Sequence, residues 1–252
     1  MAPILQVNGL TVKYNGAPAL EDVSFSIEAG ERMAIVGPNG SGKSTLFKAL
    51  AGLVRPVAGS VQTNGAKIGY VPQRSEVDWR FPVTVHDVVM MGRIAQIGWL
   101  RWQRSGDREV VRRCLEQVGM TAFAGRQIGE LSGGQQQRVF IARALAQNAS
   151  ILLMDEPFSG VDAATQEATL ALLDDLQAQH VTALISTHDL NLAASRFEQV
   201  LLLNHHVVAY GRVAEVFTPQ ALGQAFSGQV LMLPNGLALV DECCPPDEAR
   251  VI

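Results

Sequence analysis

Residues 31–45 read ERMAIVGPNGSGKST, a short apolar run that ends in a glycine-rich loop and a lysine. An apolar run of this length closed by glycine reads as a buried strand. GPNGSGKS (37–44) matches the phosphate-loop pattern G-x-x-x-x-G-K-[ST], after a strand and before a helix expected over 43–52. In such a loop the backbone N–H groups from Gly40 to Thr45 wrap the α- and β-phosphates of a nucleotide. Lys43 reaches the β- and γ-phosphates, and the Ser44 hydroxyl ligates Mg²⁺. Gly37, Pro38, Asn39, Ser41 and Gly42 complete the loop that holds the nucleotide.

A second anion site lies further along, in LSGGQQQR (131–138). Ser132 supplies a hydroxyl, Gly133 and Gly134 let the backbone approach a ligand closely, and Gln135 opens a helix. That helix start points unpaired N–H groups and a positive dipole end at the ligand. Two phosphate-binding helix starts are redundant unless they grip one nucleotide from opposite sides. Between them and the C-terminus, ILLMDEP (151–157) sets two carboxylates at the end of an apolar strand. Alone, that pair could be a solvated turn. Downstream of a phosphate loop, Asp155 holds Mg²⁺ through water and Glu156 orients and activates the attacking water.

The chain's 252 residues suffice for a full core, and a net charge of −4 gives no general attraction to nucleic acid. Hydrophobic residues make up 48%, yet no apolar run reaches the roughly 18 residues that a membrane span requires. The start, MAPILQVNGLTVKYNG, lacks the pattern of a signal peptide. Three cysteines, Cys114, Cys243 and Cys244, make no disulfide framework and point to a reducing compartment.

Leu10 to Lys13 and Val23 to Ile27 are short alternating stretches broken by Asn-Gly and Ala-Gly turns, as in a small antiparallel sheet. AKIGYVP (66–72) is a further strand. From Thr84 the period becomes helical, with Thr84 as N-cap and Gly92 as stop, which predicts an α-helical insertion. Strands over 150–157, 181–187 and 199–204 then alternate with helices, the pattern of a largely parallel sheet covered by helices. VLMLPNGLALV (230–240) reads as a hairpin.

With LSGGQ, the phosphate loop and the Asp-Glu pair in this order, the chain resembles the ATP-binding cassette (ABC) family over nearly its whole length. The resemblance implies an α/β P-loop core with a mainly parallel sheet, an N-terminal antiparallel β-subdomain and an inserted helical subdomain over about 84–128. The ATPase domain would cover 1–230, with a C-terminal hairpin and tail over 231–252. It also implies three further site residues. Gln73 in YVPQ would sense Mg²⁺ and the γ-phosphate, His188 in ISTHDL would contact the γ-phosphate, and Asp162 in FSGVD would lie in a loop crossing between subunits. Tyr14 sits where the family stacks an aromatic ring on adenine. ATP and Mg²⁺ are the implied cofactors, and a second copy of the chain completes an ATP sandwich.

The insertion is too short for the long coiled coil of chromosome-maintenance relatives, and the chain has one cassette where ribosome-acting relatives have two. A transporter ATPase is therefore the leading reading, with a nucleotide-dependent dimerisation switch as the alternative. VPQRSEVDWRFPVTVHDVVMMGR (71–93) is similar to the ATPase subunits of bacterial manganese, zinc and chelated-iron importers. The metal order is manganese, then zinc, then iron. Such subunits are cytoplasmic, peripheral on the inner face of the membrane. They work with a separate permease and, indirectly, with an extracytoplasmic metal-binding protein.

All three tryptophans, Trp79, Trp99 and Trp102, fall close together, with Phe81, Met90 and Met91 among them. Core packing of the insertion accounts for part of this. Trp79 and Phe81 precede the helix in an irregular stretch, where a docking groove for a permease helix is expected instead. His86 reads as a surface residue, His205-His206 as a turn between strands, and the Cys243-Cys244 stretch as a loosely packed tail.

Overall fold

The N-terminal alternation becomes a hairpin of β1 (Leu5–Tyr14) and β2 (Ala17–Ile27), paired antiparallel. Asn15 and Gly16 join them with φ of 52° and 85°, the two left-handed residues that a type I′ turn needs. Asn8-Gly9, which the sequence presents as another break, lies inside β1 as a bulge. Gly9 has a φ of 59°, and the pairing register shifts between Val7 and Leu10. The extra residue swaps the phase of the strand, so the buried side chains run Leu5, Val7, then Leu10, Val12.

This computed structural model describes residues 3–98, 102–226, 229–233 and 236–240. After the hairpin come β3 (Arg32–Val36), α1 (Lys43–Leu50), β4 (Ala58–Gln62) and β5 (Ile68–Val71). The helical stretch holds α2 (Val85–Met91), α3 (Ile94–Ile97) and α4 (Ser105–Gln117), followed by α5 (Gly133–Ala146). Thr84 caps α2 in a reciprocal capping box with Asp87, and Gly92 closes it, but the helical path resumes at once in α3. Then follow β6 (Ile151–Met154), α6 (Ala163–Ala178), β7 (Thr182–Thr187), α7 (Leu190–Arg196), β8 (Gln199–Asn204) and β9 (His206–Arg212). Short helices α8 (Val213–Val216) and α9 (Pro219–Phe226) lead to the antiparallel pair β10 (Gln229–Leu233) and β11 (Gly236–Val240).

The central sheet has the order β5-β6-β7-β3-β8-β9, parallel throughout except for β9. Its inner strands are buried on both faces, which is why they read as continuous apolar runs. Alternate residues feed two cores. Met33, Ile35, Leu153 and Leu184 face the N-terminal sheet β2-β1-β4 and α1, while Ala34, Val36, Met154 and Ile185 face the helices. The helical stretch packs Val85, Val88, Val89 and Leu115 with Val139, Phe140 and Ile141 of α5 in the second core. Among the described residues no helix is long and apolar enough to cross a membrane.

The aromatic stretch divides. Trp79 is half-buried and packs edge-on against Phe140, with ring centroids 5.3 Å apart, and its indole N–H donates to the Arg74 carbonyl at 2.9 Å. An irregular backbone does not keep it out of the core, because α5 brings Phe140 underneath. Phe81 is 60% exposed and Trp102 91%. Trp99, Cys243 and Cys244 lie outside the described residues.

Candidate active site

Strands β6, β7 and β3 are neighbours and run parallel, so their carboxyl ends deliver Asp155-Glu156, Ser186 to His188, and the phosphate loop side by side. Ligand sites of open α/β sheets form at such ends. Gly40 and Gly42 take left-handed φ of 82° and 99° as the loop turns into α1. At Gly37 an added Cβ would collide with the Leu203 carbonyl, so the loop lies tight against β8.

Lys43 is buried at the start of α1. Its ammonium donates to the carbonyls of Gly37 at 2.8 Å and Pro38 at 3.0 Å, and lies 3.7 Å from Glu156 Oε1. Burial pulls its pKa below the usual lysine range, while the carboxylates of Glu156 and Asp155 pull the other way.

Glu156 is where the separate sequence signals meet. Gln73 donates its amide to Glu156 Oε2 at 3.3 Å, and His188 Nδ1 lies 3.9 Å from Oε1, the oxygen that faces Lys43. Its backbone is left-handed, with a φ of 45°, which costs a non-glycine residue on the order of 1–3 kcal/mol. Asp155 sits deeper. It accepts from the Ser186 hydroxyl at 2.6 Å, and the Tyr70 phenol reaches its other oxygen at 3.4 Å. Burial, then the charge of Asp155, drives the Tyr70 pKa upward.

Lys43, Gln73, Glu156 and His188 line a cleft of about 730 Å³, with Asp155 set behind Glu156 and outside its lining. The lining also takes in Tyr14 and Ala17 from either side of the hairpin turn, and loop residues Asn39 to Thr45. His205, the left-handed turn residue between β8 and β9, joins the lining. Ser44, Gln73 and Asp155 offer hydroxyl, amide and carboxylate oxygen, the hard donor set that suits Mg²⁺.

Ser132, Gly133, Gly134, Gln135 and Asp162 do not line this cleft, although Gly133 lines a neighbouring cavity with Asp155 and Glu156. Ser132 is exposed and caps α5, accepting from Gln135 N at 3.4 Å while Gln135 Oε1 accepts from Ser132 N at 3.0 Å. Asp162 caps α6, accepting from Thr165 N at 2.9 Å and the Thr165 hydroxyl at 2.8 Å. Thr165 in turn fills the space where a Cβ on Gly134 would stand, so the two caps are adjacent. Arg74 packs against Gly133, with its Nε donating to Gln136 at 3.2 Å.

Sequence reasoning passed over Ser186, Tyr70 and the contribution of His205. For Ser186 the signal was a polar residue inside the apolar strand TALIST.

A phosphate loop on a parallel sheet, with an acidic pair at the end of a nearby strand, defines a P-loop ATPase. The chain matches the ABC transporter family over residues 20–159. It is 47% identical to the zinc transport system ATP-binding protein TroB of Treponema pallidum, over 92% of this chain and 91% of that one. It is 45% identical to the manganese transport system ATP-binding protein MntB of Bacillus subtilis, over 93% and 96% of the two chains. Among solved structures it superposes, with a TM-score of 0.84 and 30% identity, on an ABC transporter assigned to the metal-chelate type in an inward-facing conformation. That match covers 96% of this chain and 99% of the other. The chain belongs to the ABC transporter family, as one of its ATP-hydrolysing subunits.

Proposed function

We propose that this chain powers uptake of a divalent transition metal, manganese first and then zinc or iron, through a separate permease. The convergence of Lys43, Gln73 and His188 on the carboxylate of Glu156 carries the ATPase half of this reading. The similarity to manganese and zinc transport subunits supports the cargo class. ATPase subunits of such importers dimerise and act with a membrane permease. The chain would accordingly lie on the cytoplasmic face of the membrane, with an extracytoplasmic protein delivering the metal.

In this reading the loop from Gly37 to Thr45 holds the phosphates and Lys43 neutralises the β- and γ-phosphates. Tyr14 stacks on the base. Ser44, Asp155 and Gln73 hold Mg²⁺, which offsets phosphate charge when bound. Glu156 takes the proton of the attacking water, and His188 steadies the γ-phosphate. Ser132, Gly133, Gly134 and Gln135 reach the nucleotide of a second copy, beside the loop of Asp162.

Vesicles holding the complex with its permease test this directly. ATP should drive metal accumulation with manganese preferred, and binding protein loaded with metal should stimulate hydrolysis. Hydrolysis indifferent to the permease, with no accumulation of manganese, zinc or iron, rejects the import reading.

A further inference from the structure

Strand β7 is buried along its whole length, and Ser186 is fully buried within it. A buried serine carries one donor and two acceptor sites that have to be used. Serines in such strands commonly spend them on nearby main chain. Ser186 spends its donor and one acceptor on the acidic pair: its hydroxyl donates to Asp155 Oδ1 at 2.6 Å and accepts from the Glu156 N–H at 2.7 Å.

The register explains the reach. Met154 stands opposite Ile185 in the parallel ladder, so the next residues, Asp155 and Ser186, are neighbours as β6 leaves the sheet. There the chain turns into the left-handed conformation of Glu156, whose N–H has left the ladder. Among the described residues, the other oxygen of Asp155 meets the longer Tyr70 contact of 3.4 Å. An alanine at this position would fill the strand equally well and break both bonds.

We propose that Ser186 is a positioning residue for hydrolysis, whose single hydroxyl fixes the Asp155 carboxylate and the Glu156 backbone as one unit. It rests on the roles given above to Asp155 and Glu156. The metal ligand and the water-activating carboxylate then hold a set orientation to each other, although neither bonds to the other directly.

The test compares Ser186→Ala, Ser186→Cys and Ser186→Thr in the purified transporter, with Glu156→Gln as a separate control. A hydrogen bond to a charged group contributes enough that Ser186→Ala should lower kcat roughly ten- to a hundredfold. The KM for MgATP should rise no more than several-fold, through the metal alone, because the phosphate loop is untouched. Ser186→Cys keeps the shape with a weak donor and should resemble the alanine variant, while Ser186→Thr keeps the hydroxyl and should restore most turnover. ATP binding is also titrated with and without Mg²⁺. Mg²⁺-free affinity should stay at the wild-type value in Ser186→Ala, and the gain on adding Mg²⁺ should shrink several-fold. Wild-type turnover in Ser186→Ala, a threonine variant as slow as alanine, or an equal loss of Mg²⁺-free binding overturns the inference. Normal turnover in Glu156→Gln instead removes the assigned acidic pair. An inactive Glu156→Gln beside a normal Ser186→Ala removes Ser186 alone.

Discussion

Two glycine-rich helix starts in this molecule meet the same electrostatic problem and solve it differently. The start of α1 has Gly42 at its N-cap with no side chain bonded to the helix N–H groups, and its lysine is turned into the cleft. The start of α5 is closed by its own residues, with Ser132 and Gln135 bonded to each other's backbone. Unsatisfied N–H groups at a helix start attract an anion, and capped ones less so. The first start therefore belongs to a site assembled within one chain. The second is closed by its own cap, with Gly134 buried against Thr165 and Gly133 packed against Arg74.

The strongest challenge to this comparison is Glu156→Gln. It keeps the shape but removes the base, so turnover should fall on the order of a hundredfold or more while ATP binding survives. Near-normal hydrolysis in the purified complex would show that the convergence on Glu156 has no catalytic meaning. Next come paired changes at the two helix starts. Lys43→Ala should weaken nucleotide binding by a single chain, because the ammonium meets phosphate in the ground state. Ser132→Arg should leave single-chain binding intact while hydrolysis by the dimer fails. Equal binding losses in the two variants would erase the distinction between them.

A smaller effect separates the two aromatics of EVDWRFP. Trp79→Ala should destabilise the chain by on the order of 2 kcal/mol, read from denaturant midpoints, because it removes the ring packed on Phe140. Phe81→Ala, at an exposed position, should leave stability unchanged and weaken permease association. Retention of full complex yield would take Phe81 out of the docking surface. The smallest effect is at the second cap: Ser132→Ala should cost the isolated chain about 1 kcal/mol, and Ser132→Thr much less. No difference between them in thermal unfolding would mean that the cap does not hold α5.

What could be read in advance follows from how locally each feature is specified. The phosphate loop, the Asp-Glu pair and the cap at Thr84 are set by adjacent residues, and YVPQ and ISTHDL are recognisable at strand ends. β4 was not legible, because AGSVQ is exposed along most of its length and has no alternation to find. β9 gave little better signal: HVVAYGR has no fully buried position, and its direction depends on closing the sheet edge beside β8. The Asn8-Gly9 bulge looked like a turn because the same dipeptide serves both purposes. Ser186 escaped for a different reason. Its partners are supplied by a neighbouring strand, about thirty residues away in sequence, and only the parallel register reveals them.

The two walls of the cleft also differ in how deeply they are rooted. Tyr14 and Ala17 flank a hairpin tip whose residues are exposed, whereas the phosphate loop grows from β3, central in the sheet and almost fully buried. Amide exchange should therefore be fast around Asn15 and Gly16 and slow along β3, with the Tyr14 side of the cleft opening in local fluctuations that leave the phosphate loop in place. A nucleotide whose base stacks on Tyr14, as proposed, would then loosen at that end before its phosphates let go. The pace of ADP departure would be set by the buried, slow-opening phosphate side, and the fraying of a two-residue turn would only precede it.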